Sequence, residues 1–163
     1  MNLTRCLGLG MILLSAALVG CPDAGKKAEK DGGKKIVVTK EDDHGPHGKG
    51  PNGGTVFDLG KFHAEFTVDH DKKQCALLIL GADEKTPSHI VAKDLTVNTK
   101  ETKTKDGKVV PPMTIKMAAA DEKDGNASKY VGTDPGLSNV AEFEGTVLGE
   151  INGKPSKGNF KED

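Results

Sequence analysis

Apolar and polar residues alternate along much of the chain from residue 54 onward, which is the pattern of β-strands with one buried face. The clearest case is 62–68, where every second residue from Phe62 is apolar and the residues between, from His63, are polar. Antiparallel strands of this kind place one face on a core and leave the other in water. We therefore expect the His63 side of this strand to be open.

Turn residues divide the rest of the chain into further short strands. The predicted strands are 54–59, 62–68, 75–80, 90–92 and then 95–103, 108–117, 141–151 and 154–160, and 129–131 is a further short candidate. Asp106-Gly107 and Asn152-Gly153 predict tight hairpin turns, because such turns need residues that tolerate positive φ. Pro111 and Pro112 cannot donate to a ladder, so their strand is expected at a sheet edge or bulge. We also expect a helical turn at 118–123 and a turn or 3₁₀ segment at 134–139.

These elements predict an all-β fold, a small antiparallel β-sandwich or barrel of about seven or eight strands. In the predicted organisation a signal peptide occupies 1–20, a flexible tether occupies 21–43, and the β-domain occupies 44–163. Gly, Lys and acidic residues make up most of 22–35, and no large apolar side chain is present there to order the tether.

The N-terminal segment carries an apolar run from Leu7 to Val19, preceded by the single positive residue Arg5. The run is shorter than the roughly 20 residues that a membrane-spanning helix needs, and it has the proportions of a secretory signal peptide. Its end, Leu18-Val19-Gly20-Cys21, resembles the lipobox of bacterial lipoprotein precursors. The resemblance implies that Cys21 becomes the lipidated first residue of the mature protein. The alternative is an ordinary signal peptide with a coincidental cysteine.

A lipid on Cys21 implies a protein of the cell envelope, anchored in a membrane and exposed on the periplasmic or extracellular face. Pro22 follows the cysteine, and sorting by this position differs among bacteria, so inner and outer membrane both stay open. With Cys6 in the leader and Cys21 lipidated, Cys75 has no disulfide partner. Its apolar strand favours a small buried hydrophobe; a soft metal ligand or an intermolecular contact is the alternative.

The composition excludes several function classes. Arg5 is the only arginine, and the lysines are interleaved with acidic residues, so nucleic-acid binding is not expected. The chain has no Trp, one Tyr and five Phe, too few aromatic rings for a carbohydrate-stacking surface. Ser88 and His89 are adjacent in an extended segment and point to opposite faces, so they form no nucleophile–base pair. We expect a protein that is not an enzyme.

The candidate chemistry lies between residues 44 and 65. His44 and His47 are separated by two residues in a loop rich in Gly and Pro, and His63 and Glu65 share one face of the following strand. Imidazole is the commonest metal ligand, and such a loop can turn both rings toward one point. A set of imidazoles and one carboxylate suits Zn²⁺, Cu²⁺ or Ni²⁺, whereas Ca²⁺ prefers oxygen ligands only.

Residues 44–80 also resemble the His- and Gly-rich N-terminal portions of adaptor subunits of heavy-metal efflux systems, and a group of small bacterial lipoproteins. The resemblance implies metal contact for His44, His47, His63 and Glu65. From the ligand types, zinc or copper is the expected ion. The alternative function is a structural or protein-interaction lipoprotein that docks another envelope protein through a sheet edge or open face. In that case the histidines are ordinary solvated residues.

Overall fold

The computed structural model describes residues 47–163, so His44 and the segments assigned to the leader and tether lie outside the described residues. The predicted all-β fold is confirmed, with eleven strands instead of seven or eight, because several strands are only two or three residues long. The strands are β1 Thr55–Leu59, β2 Phe62–Asp69, β3 Gln74–Leu80, β4 Ala92–Thr99, β5 Thr102–Lys103, β6 Val109–Val110, β7 Thr114–Lys116, β8 Ala118–Ala119, β9 Lys129–Thr133, β10 Glu144–Ile151 and β11 Lys154–Lys161. A 3₁₀ turn at Pro135–Ser138 is the helical element of the described chain, in the segment where a turn was expected.

Two antiparallel sheets form the domain. One has the order β1-β2-β3-β9-β8, the other has the order β11-β10-β4-β7, and β5 pairs with β6 in a separate two-stranded ribbon. Both predicted hairpin turns are confirmed, since β5 pairs with β6 across Asp106-Gly107 and β10 pairs with β11 across Asn152-Gly153. β2 and β3 form a further hairpin. The β10–β11 turn uses positive φ at Asn152 (50°) and Gly153 (77°), as the Asn-Gly pair predicts.

The core lies between the two larger sheets and is built by the alternation seen in the sequence. Phe66 from β2 stacks on Phe160 from β11, with ring centroids 4.2 Å apart, and Phe57 from β1 lies 5.8 Å from the same ring. The edges β1 and β11 also approach each other closely. A Cβ at Gly158 would stand 2.2 Å from the carbonyl oxygen of Asp58, so only glycine lets β11 lie this near β1. This contact supports β1 next to Asp58.

The Pro111-Pro112 segment leads into β7, which is an edge strand, as expected. β7 has three residues, and Thr114 and Lys116 on it are exposed. Prolines, a short strand and a lysine are the features that keep a sheet edge from pairing with another chain.

The helical turn expected at 118–123 is wrong. β8 pairs with β9 instead, and Asp121 organises the turn that connects them. The Asp121 carboxylate accepts hydrogen bonds from the backbone N–H groups of Ser128 (3.0 Å) and Lys129 (2.8 Å) and from the Ser128 hydroxyl (2.5 Å). An aspartate that satisfies backbone donors across a hairpin competes with helix formation, and three alanines do not outweigh it.

Cys75 is fully buried in β3, with its Sγ 3.9 Å from Met117 Sδ. Burial raises the pKa of its thiol to about 12, so the group stays protonated at neutral pH. This environment agrees with a small buried hydrophobe and leaves no thiolate for metal binding.

Within residues 47–163, no helix is long and apolar enough to cross a bilayer.

Candidate metal centre

The centre of the site is a cross-strand pair at the β1–β2 hairpin. Asp58 lies directly opposite His63 in the register of the two strands, so both side chains project from the same face of the sheet. The neighbours of Asp58, Phe57 and Leu59, are buried in the core, which leaves Asp58 on the outer face. The Oδ1 atom of Asp58 is 3.3 Å from Nε2 of His63.

The other ring nitrogen of His63 is committed to the backbone. Its Nδ1 donates to the carbonyl oxygen of Gly81 at 3.0 Å. A carbonyl can only accept, so this bond places a proton on Nδ1 and directs Nε2 toward the carboxylates. Metal-ligating histidines characteristically donate their second nitrogen in this way, which fixes both tautomer and ring orientation.

His47 approaches the same carboxylate from the loop before β1. Its Nε2 lies 3.3 Å from Asp58 Oδ2, and its Nδ1 lies 2.9 Å from Glu84 Oε1. The two imidazole rings meet edge to face, with centroids 5.2 Å apart. Burial lowers the pKa of His47, but its hydrogen bonds and charge interactions with Glu84 and Asp58 outweigh burial, and the net pKa is raised above 6.5.

Glu84 belongs to the loop between β3 and β4, which is held in shape by its own hydrogen bonds. Asp83 accepts from the backbone N–H of Lys85 (3.1 Å) and from both the backbone N–H (2.9 Å) and hydroxyl of Thr86 (2.5 Å). The bonds to Thr86 and Lys85 lower the pKa of Asp83 to about 2. Glu84 itself adopts φ of 58°, in the left-handed region, and its N–H donates to the Gly81 carbonyl at 3.1 Å. The loop therefore delivers both Gly81 O and Glu84 to the two rings.

The three inner donors lie close enough together to reach one small ion. One ligand atom each from His47, Asp58 and His63 lie within 4.8 Å of one another. Zinc binds nitrogen and oxygen at about 2.0–2.2 Å, so ligand atoms around a tetrahedral zinc lie about 3.4 Å apart. Each ring nitrogen lies 3.3 Å from a different oxygen of Asp58, Oδ2 for His47 and Oδ1 for His63, so a single carboxylate oxygen has this spacing to one of the two rings.

Glu65 does not join this group. Its Oε1 accepts hydrogen bonds from the backbone N–H groups of Asn52 and Gly54, and its Oε2 accepts from Asn52 Nδ2, all at 2.8 Å. The expectation that Glu65 shares an open face with His63 is wrong, because the segment 50–54 covers it completely. A Cβ at Gly50 would stand 2.4 Å from Glu65 Cδ, so this cover requires a glycine. Glu65 holds the loop that carries His47, three residues before Gly50.

The other two histidines among the described residues lie apart from the site. His70 follows the far end of β2, where its Nδ1 bonds the carbonyl oxygen of Leu137 at 2.8 Å. His89 is mostly exposed and lies 3.9 Å from Asp121. The predicted role of His44 falls outside the described residues and stays a prediction.

Sequence reasoning missed Asp58 and Glu84. A signal for Asp58 was present, since a tight turn at Gly60-Lys61 pairs residue 58 with residue 63. Glu84 gave no signal, because it stands in a polar loop whose shape depends on Asp83 and Thr86.

Comparison of the chain with protein-family models, with curated proteins and with solved structures finds no match.

Proposed function

We propose that this protein binds a divalent transition-metal ion, zinc first among them, through Nε2 of His47, a carboxylate oxygen of Asp58 and Nε2 of His63. The observation that carries the proposal is the convergence of two imidazole nitrogens on one carboxylate while the opposite nitrogens are held by Glu84 and the Gly81 carbonyl. Such outer partners are the usual companions of metal-bound histidine.

Charge also supports this assignment. With both rings neutral, Asp58 and Glu84 leave two negative charges around the site, which a divalent cation neutralises. Without the cation, the Nε2 lone pair of each neutral ring would face a carboxylate oxygen of Asp58, which is an electrostatically unfavourable contact. Two imidazoles and one carboxylate favour zinc or another late transition metal over Ca²⁺ and Mg²⁺, which prefer oxygen donors.

Zinc titrated calorimetrically into chelator-treated protein at pH 7.5 should bind at one site, and its affinity should fall steeply on acidification to pH 5.5. Ligand imidazoles must lose their protons to bind metal, and the raised pKa of His47 lets protons compete at higher pH than for an ordinary histidine. No binding heat at pH 7.5, or an affinity independent of pH, would contradict the proposal.

Thermal unfolding should report the same competition. Because the pKa of His47 is raised in the folded protein, its stabilising contribution is complete below pH 6.5 and is lost as pH rises through the folded pKa. Above the folded pKa of His47, the metal-free protein has lost this contribution, whereas zinc binds more tightly because fewer protons compete with it. The increase in Tm on adding zinc should therefore be larger at pH 8 than at pH 6.

We further propose that the domain is carried on a membrane face outside the cytoplasm by lipid on Cys21. The Leu18-Val19-Gly20-Cys21 sequence after an apolar run supports this. Mass spectrometry of the protein from the membrane fraction should find Cys21 as the first residue with acyl mass added. Cys21→Ser should abolish the added mass, whereas the matched change Cys75→Ser should leave it. An unmodified, uncleaved leader on the wild-type protein would refute the anchor.

A further inference from the structure

The outer face of the sheet β11-β10-β4-β7 carries a regular array of polar side chains. Alternate residues of its strands are buried in the core, so the residues between them point outward and line up in rows across the sheet. In the order β7, β4, β10 and β11, one row is Thr114, Asn98, Thr146 and Asn159. The row beside it is Lys116, Thr96, Leu148 and Lys157.

Hydrogen bonds along the first row leave donors for an outside partner. Thr114 Oγ1 donates to Asn98 Oδ1, and Thr146 Oγ1 donates to Asn159 Oδ1, both at 2.9 Å. The Nδ2 groups of the two asparagines make no hydrogen bond within residues 47–163. Each of these groups carries two N–H donors, which suit acceptors such as phosphate oxygens.

The charge of the face is mainly positive. Lys116 and Lys157 end the second row, and a third row holds Lys100, Glu144 and Lys161, with Lys161 opposite Glu144 in register. Lys100 forms an ion pair with Glu144, whereas Lys116, Lys157 and Lys161 form none with the described residues. The three rows thus carry four lysines and one glutamate, although the whole chain has a formal net charge of −1.

The other acidic residues of this face lie at one end of it, near the β10–β11 turn. Glu150 is opposite Lys93 in register, and Asp94 lies beside Lys93 at the bulge of β4. Counting this end, five lysines stand against three acidic residues. The positive excess is therefore concentrated on the three rows.

The chemistry of these rows fits an anionic lipid surface. Leu148 is 42% exposed in the row that ends in Lys116 and Lys157. An apolar side chain among cations favours the boundary between headgroups and acyl chains, where apolar burial and attraction to anionic lipid act together. The face has lysine and no arginine, so it offers point charges rather than the planar fork that recognises a single phosphate group. Point charges suit headgroups that move laterally.

We propose that the outer face of the sheet β11-β10-β4-β7 docks on anionic phospholipid of the membrane that carries the protein. The inference rests on the proposed anchor at Cys21, which keeps the domain close to the bilayer and so raises its effective concentration there. Each lysine near an anionic bilayer favours the docked state about fivefold. Asp58 and His63 project from the outer face of the other sheet, so docking turns the candidate metal centre away from the bilayer.

Acetylation of lysines in the lipidated full chain, placed in vesicles, tests the docking face. Mass spectrometry at low reagent dose gives the reaction rate of each lysine. Lys116, Lys157 and Lys161 should react at least about threefold more slowly when phosphatidylglycerol is mixed into phosphatidylcholine vesicles, because docking shields them. Lys129, exposed on the other sheet, should react equally in both kinds of vesicle. NaCl at about 1 M shortens the Debye length to about 3 Å and should remove the difference.

A double variant tests whether these lysines direct docking. Lys116→Gln with Lys157→Gln removes two charges, so the docked state should weaken about 25-fold and Lys161 should lose its protection. Lys123→Gln with Lys129→Gln removes the same charge from exposed positions outside the face and is the matched control. In the control, Lys161 should stay protected.

The outcomes separate this inference from the anchor. Failure of the wild-type protein to float with phosphatidylcholine vesicles would overturn the anchor and the inference with it. An anchored protein whose Lys116, Lys157 and Lys161 react equally in both kinds of vesicle would leave the anchor standing and overturn the docking face. Equal protection of Lys129 would overturn the orientation. Protection of Lys161 that persists in the first double variant would show that the two lysines do not direct docking.

Discussion

The double variant His47→Ala, His63→Ala should lose more than about 100-fold in zinc affinity, measured by calorimetric titration at pH 7.5. Loss of an outer partner alone typically costs 10–100-fold, and this variant removes two direct ligands of the proposed three. Asp58 then remains as a single, partly exposed carboxylate, and an isolated carboxylate does not hold zinc at micromolar concentration. An unchanged affinity would refute the proposed site.

His89→Ala is the matched control for this experiment. His89 is exposed and lies outside the site, so its removal should leave zinc affinity unchanged. The same pair of proteins separates metal binding from the alternative role as an interaction lipoprotein. If the protein serves only to dock an envelope partner, the double variant and a chelator should both leave partner capture from solubilised membranes intact.

Replacing Glu65 with alanine should lower the free energy of unfolding by about 3 kcal/mol in urea denaturation at pH 7. The change removes the charged acceptor of three partly buried hydrogen bonds, from the N–H groups of Asn52 and Gly54 and from the Asn52 amide, and a hydrogen bond to a charged group contributes about 1.5–3 kcal/mol. Water that enters the vacated space recovers part of this cost. Zinc affinity should fall as well, because the loop that carries His47 loses its attachment to β2.

Glu65→Gln should recover most of the lost stability. The glutamine carbonyl can still accept from both backbone N–H groups, and the Asn52 amide can rotate to present its oxygen to the new NH₂ group. Glu122→Ala, which removes an exposed glutamate, should change stability by less than about 0.5 kcal/mol. If Glu65→Ala unfolds at the wild-type urea concentration, the loop does not depend on this carboxylate.

The strands of this protein follow from its sequence because alternation is a local property. The period of two in 62–68 and 141–151 is sufficient to predict these strands, and the Asn152-Gly153 turn is sufficient to predict the β10–β11 hairpin. The order of the sheets is not local. β9 lies beside β3, and β4 lies between β10 and β7, and these pairings depend on distant segments that meet only in the folded chain.

The helical turn expected at 118–123 shows the same limit. Alanines favour a helix in isolation, but Asp121 bonds residues seven and eight positions further along the chain, and tertiary context overrides propensity.

For the candidate site, the sequence by itself singled out His47 and His63 and ended the first strand at Gly60-Lys61. The pairing of Asp58 with His63 follows from that turn, but sequence reasoning missed it. Only the tertiary structure decided that Glu65 lies under the segment 50–54 and that Glu84 reaches His47. Alternation specifies the side of a strand on which a residue projects, but it does not specify which loop packs over that side. That packing depends on close glycine contacts at Gly50 and Gly54 and on hydrogen bonds between segments far apart in the chain.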